Sequence, residues 1–186
     1  QLVSLPDGVD ENDSDAWSVH ASGEVRPSSS GETKTESMDV EAVRSRCQQV
    51  LSGAEFYEDM WAARDDTGPS FRWIRTIWRG AGEALGETVS PQLPGGIDAY
   101  RLHPGVIEAS IQLLRCCGGF EPRDMVATTG SVYVPFRIAS LRYHGAPGRR
   151  ALWCHAQMRE LPESARAGVV GDLRLVDDSG QVVLEM

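Results

Sequence analysis

The chain has 186 residues, enough for one domain with a sizeable core, and 41% of them are hydrophobic. Its formal net charge is -9 and its isoelectric point about 4.9, which argues against nucleic acid as a main partner, since that needs a basic face. No stretch approaches the roughly 18 consecutive apolar residues of a membrane-spanning helix, so no membrane partner is expected.

The opening residues, "QLVSLPDGVDENDSD", lack the basic and apolar regions of a secretory signal. "AWSVHASGEV" follows, with Trp17, Val19 and Ala21 alternating against Ser18, His20 and Ser22, the pattern of a strand. Residues 27–38 contain "PSSSGETKTES", a linker composition with nothing to bury. One strand ahead of a linker cannot form a domain, because its edges need partners. The chain is therefore expected to begin inside a larger structure, with residues 1–26 ending one unit and 39–186 forming the next.

Residues 39–63 read as two short helices, with Asp39 as N-cap and a break at Ser52–Gly53. "FRWIRTIWR" and residues 83–90 read as strands on either side of a "GAG" turn or bulge. Pro104 suits the first turn of a helix running to Gly118–Gly119. Val106, Ile107, Ile111 and Leu114 are its expected buried positions. "SVYVPFRIASLRYHG" reads as a long strand bent at Pro135, and "ALWCHAQMRE" as another. "GVVGDLRLVDDSGQVVLEM" has the pattern of a hairpin turning at Asp178-Ser179-Gly180. One apolar helix among five or six strands predicts an α+β fold, an antiparallel sheet packed on a central helix.

Cys47, Cys116, Cys117 and Cys154 form no CxxC pair, and His20, His103, His144 and His155 have no metal-ligand spacing. The cysteines read as buried thiols in a reducing cytoplasm, with no metal site. The five tryptophans read as core. One residue stands out: Glu108, a carboxylate inside the apolar helix, with Gln112 one turn later on the same face. An apolar surrounding disfavours the charged form and raises a carboxyl pKa. A carboxyl kept protonated near neutral pH can serve as a general acid.

Four stretches in order carry a family resemblance: "TGPSF" at 67–71, "YRLHPGVIEASIQ" at 100–112, "YVPFRIASLRYHG" at 133–145 and "GDLRLVDDSGQVV" at 171–183. Together they resemble the C-terminal half of the dehydratase domain of a modular polyketide synthase. "AWSVHASGEV" looks like the last strand of that domain's first half. The resemblance implies a double hot-dog fold, two antiparallel sheets each wrapped around a helix. It implies elimination of water from a 3-hydroxyacyl thioester on an acyl carrier protein. The family's catalytic Asp falls on Glu108, and the Gln or His that holds it falls on Gln112. Gly68, Pro69 and Phe71 match a turn beside the acyl tunnel, and Pro135 and Phe136 a stretch lining the site. The implied partners are the acyl carrier protein, the N-terminal hot-dog half and a second copy of the synthase. No cofactor is implied beyond the carrier's own phosphopantetheine.

Two departures accompany the resemblance. No histidine here fits the HxxxGxxxxP motif that supplies the family's base; the base is expected upstream of Gln1, on another chain, or absent. Glu108 also stands where the family has Asp, and its extra methylene moves the carboxyl by roughly 1.5 Å, enough to cost about a hundredfold where geometry is tight. The alternatives are a dehydratase-like domain that shifts a double bond or closes an oxygen ring, and a non-catalytic scaffold of the same fold.

Overall fold

The computed structural model describes residues 1–27, 37–62, 67–93, 96–97, 100–119, 134–145, 152–159 and 169–186. The chain divides into two compact units, residues 1–33 and 34–186.

Among its described residues the first unit holds two strands where the sequence suggests one. β1 (Leu2–Ser4) pairs antiparallel with β2 (Ser18–Ala21). Between them a 3-10 turn, Ser14–Ala16, is capped by Asp13, whose carboxylate accepts from Asp15 N–H at 3.1 Å. β1 is only three residues long and sits beside an acidic run, so its alternation is too short to stand out. The expected linker falls largely on residues outside those described.

The second unit begins with α1 (Val40–Arg46), whose N-cap is Asp39 as expected: its carboxylate accepts from Ala42 N–H at 2.9 Å. The next segment departs from the sequence reading. Gln49–Ser52 is not helix but a strand, β3, paired antiparallel with β4 (Ile74–Arg79). Backbone pairing with a strand more than twenty residues away decides this, and local propensity does not report it. α2 (Gly53–Ala62) starts at the predicted break. Ser52 Oγ accepts from Glu55 N–H at 3.2 Å and the Glu55 carboxylate accepts from Ser52 N–H at 3.0 Å, a reciprocal cap. Gly53 is required there, since a Cβ would lie 2.0 Å from the Ile74 carbonyl oxygen.

β4 turns through Gly82, at φ +70°, into β5 (Glu83–Thr88). α3 (Pro104–Leu113) follows and tightens into a 3-10 segment, Leu114–Gly119. β6 is only Arg142–Tyr143. With β7 (Leu152–Met158), β8 (Gly171–Val176) and β9 (Val182–Glu185), the described residues form a seven-stranded sheet in the order β3-β4-β5-β7-β8-β9-β6. Every pairing in it is antiparallel. Of the long strand expected over 131–145, residues 131–133 lie outside those described, and only Arg142–Tyr143 forms strand in the rest. Residues 134–141 carry no strand, and Val134, Phe136, Ile138 and Leu141 are exposed.

α3 is the central helix, packed against β5, β7 and β8, and the fold is the expected hot-dog, an antiparallel sheet around one helix. Its buried face is rotated from the expected one. Val106, Ala109, Ser110 and Leu113 are buried, whereas Ile107, Ile111 and Leu114 are half-buried on its flanks. The helix is apolar on several sides, so apolarity alone does not choose the face. The small residues Ala109 and Ser110 lie on this buried face, both at 0% exposure. Gly86 on β5 makes room for this packing: a Cβ there would stand 3.2 Å from a Leu113 methyl. Trp73 and Trp78 are core, but Trp17 and Trp61 are exposed, Trp61 at 66%, against expectation. All four cysteines are buried and free, as the sequence suggests, and burial pushes the Cys154 thiol up to about 12. No helix among the described residues is long and apolar enough to cross a membrane.

Candidate active site

His103 fixes the start of α3. Its Nδ1 accepts from Gly105 N–H at 2.9 Å, so it caps the helix through its ring. The ring stacks on Trp73, with centroids 4.9 Å apart, and Tyr100 meets it edge-on at 4.7 Å. Trp73 is held in turn by its Nε1–H, which donates to the Ser70 carbonyl at 2.9 Å. Partial burial holds the His103 pKa below its ordinary value and so keeps Nδ1 available as an acceptor.

This cap anchors the first turn of α3, the helix that carries Glu108 and Gln112. Glu108 is half-buried, and Gln112 is buried at 1% exposure. Gln112 Nε2 donates to Glu108 Oε1 at 3.5 Å and to Thr67 Oγ1 at 3.4 Å. The Gln112 Oε1 accepts from the hydroxyl of Tyr57, on α2, at 3.3 Å. These contacts lie at the long end of the hydrogen-bond range. The Tyr57 hydroxyl also accepts from Ile74 N–H on β4 at 3.0 Å and faces the Phe71 carbonyl at 3.5 Å. Burial raises its pKa to about 12, so at neutral pH it keeps its proton and can donate it.

Of the predicted site residues, the structure brings together Glu108, Gln112 and the Gly68-Pro69-Phe71 turn. Pro69–Phe71 is a 3-10 turn packed against α3. Gly68 precedes it at φ +71° and ψ 165°, a conformation available essentially to glycine alone. Phe71 joins the cluster through its carbonyl and Tyr57. Pro135 and Phe136 are exposed, Phe136 at 98%, and no described contact links them to Glu108. Tyr57 and Thr67 belong to the cluster but escape a reading of the sequence. Tyr57 sits on an amphipathic helix where it reads as one more core aromatic. Its link to Gln112, across 55 residues, is what joins its hydroxyl to the cluster. Among the described residues no group of three or more metal-ligating side chains converges.

A central helix wrapped by an antiparallel sheet defines a hot-dog protein, and a carboxyl lies on the flank of that helix. Residues 35–186 match the family model described as polyketide synthase dehydratase N-terminal domain, and the chain belongs to that family. Its relatives include the spectinabilin polyketide synthase system protein NorB of Streptomyces orinoci. That protein is 28% identical over 143 residues, covering 73% of this chain and 6% of the relative. The polyketide synthase GfsE of Streptomyces halstedii is 30% identical over 103 residues, 53% of this chain and 2% of that protein. Among solved structures, the dehydratase domain from the CurF module of the curacin polyketide synthase superposes with a TM-score of 0.69 at 24% identity, covering 83% of this chain. An inactive mutant of the CurK dehydratase gives 0.67 at 27% identity, over 82% of this chain. The chain spans 51% of each of these two structures.

Proposed function

We propose that this chain is the acid-bearing, C-terminal hot-dog half of a polyketide synthase dehydratase domain. The observation that carries the reading is the Tyr57–Gln112–Glu108 chain of contacts, from α2 to the central helix. In the reaction, a base on the other half takes the α-proton of a 3-hydroxyacyl thioester carried on an acyl carrier protein. The electron pair left behind forms the Cα=Cβ bond as the Cβ–O bond breaks. Glu108 delivers its proton to the departing hydroxyl, so water and the enoyl thioester are the products. Gln112 orients the carboxyl. The Gly68–Phe71 turn borders the site.

The matching family model is described as an N-terminal domain, which would make this the first half. A first half would have to carry the base histidine. None of His20, His103, His144 and His155 has the HxxxGxxxxP spacing, and the residue order from 67 to 183 favours the second half. The chain's coverage of about half of each solved dehydratase fits one hot-dog of two. Homodimerisation and docking of the carrier follow from the same assignment. No cofactor enters the reaction.

Glutamate in the acid position favours one second reading, a domain that moves a double bond or closes an oxygen ring by conjugate addition. The test is an intact domain, both halves present, given a 3-hydroxyacyl thioester and, separately, enoyl and hydroxyenoyl thioesters. Dehydration that falls about 10²- to 10⁴-fold on Glu108→Ala supports the proposal. Products only from the unsaturated substrates support the second reading. A Glu108→Ala domain at full rate on every substrate rules out the acid assignment.

A further inference from the structure

We propose that Tyr57 is a positioning residue for this acid, fixing which end of the Gln112 amide faces Glu108; the proposal rests on the dehydratase reading above. Gln112 is buried and can make hydrogen bonds only with the groups around it. As placed, each end is used. The amide oxygen accepts from Tyr57, and the two N–H groups are directed at Glu108 and Thr67.

The reverse orientation is poorer. It would turn the amide oxygen toward the Glu108 carboxyl and set the N–H groups against the Tyr57 oxygen. That oxygen already accepts from Ile74 N–H, at 3.0 Å, and has a proton of its own to place. Of its two acceptors, Gln112 Oε1 at 3.3 Å is nearer than the Phe71 carbonyl at 3.5 Å. The backbone of β4 thus orients a phenol, the phenol orients an amide, and the amide orients an acid.

The orientation matters to the chemistry. An amide N–H donated to Oε1 of Glu108 disfavours a proton on that oxygen, so the acidic proton is not the one shared with Gln112. With the amide reversed, its oxygen would compete with the substrate for that same proton.

The experiment uses the intact domain and a 3-hydroxyacyl thioester, with four proteins: unaltered, Tyr57→Phe, Gln112→Ala, and the double variant. Tyr57→Phe removes one oxygen and keeps the ring that fills the core, and thermal melting checks that each variant is folded. The expected result is a loss of about tenfold in kcat with KM within about twofold. In the Gln112→Ala background the same substitution should cost nothing further in kcat, although its effect on melting persists. An equal kcat loss in both backgrounds, or none in either, overturns the proposal. Glu108→Ala, run alongside, separates the two claims. If that variant is crippled while Tyr57→Phe is not, the positioning role alone fails; if it is fully active, the acid assignment fails with it.

Discussion

Trp73 lies directly over Gly105: a Cβ at position 105 would fall 2.0 Å from the indole Nε1. The indole cannot easily withdraw, because its N–H is bonded to the Ser70 carbonyl and its face is stacked on His103. This close approach seats the first turn of α3, three residues before Glu108.

Gly105→Ala should therefore destabilise the domain by about 1–3 kcal/mol, the usual cost of overpacking a core. In an open helix the same change would gain up to about 1 kcal/mol. Chemical denaturation reads the sign. A stabilised variant would mean that Trp73 moves freely and does not fix the helix.

Leu113 tests the opposite end of α3. It is fully buried and presses its methyl groups toward Gly86 on β5. Leu113→Ala should cost about 2–5 kcal/mol, because the void faces a glycine and cannot be filled from that side. A loss below about 1 kcal/mol, by the same denaturation measurement, would show that the sheet collapses onto the helix.

Glu83 makes stability depend on acid. Its carboxylate accepts from Arg46 Nε at 2.9 Å, and His155 Nε2 lies 3.0 Å from its other oxygen. The Arg46 hydrogen bonds hold the Glu83 pKa below the ordinary carboxylate range, against the opposing effect of burial. A depressed folded pKa gives stability that is fully present above the unfolded value of about 4.3 and is lost as pH falls through the folded one. Glu83→Gln should thus cost about 1–2 kcal/mol at pH 7, the low end of the range because Arg46 is half exposed. The penalty should shrink toward pH 3. A penalty independent of pH would assign the effect to packing.

Glu108→Asp restores the family's acid and distinguishes two histories of this site. Gln112 already reaches the longer side chain, at 3.5 Å, which suggests a backbone adapted to glutamate. Shortening it should then slow dehydration by about ten- to a hundredfold. Faster dehydration by the Asp variant would mark Glu108 as a poorly placed substitute. The 186-residue chain by itself should not turn over a 3-hydroxyacyl thioester, since it contains no histidine with the spacing of the base; thioester turnover by the purified chain would overturn that.

The sequence by itself determined the periodic and locally capped parts. Alternation located β4, β5, β7, β8 and β9, and Asp39 and Pro104 marked where α1 and α3 begin, because side-chain period and cap chemistry are properties of neighbouring residues. The i, i+4 spacing of Glu108 and Gln112 is likewise local, so their pairing could be read before any fold was known. What needs a distant partner was decided by the tertiary structure alone. Gln49–Ser52 became a strand through pairing with β4, and 134–141 did not become one despite its alternation. The buried face of α3, which carries Ala109 and Ser110, was chosen by packing against the sheet, since apolar residues lay on several sides. Tyr57 joined the site for the same reason: its phenol reaches Gln112 across 55 residues, and a hydrogen bond over that separation leaves no periodic trace in the chain.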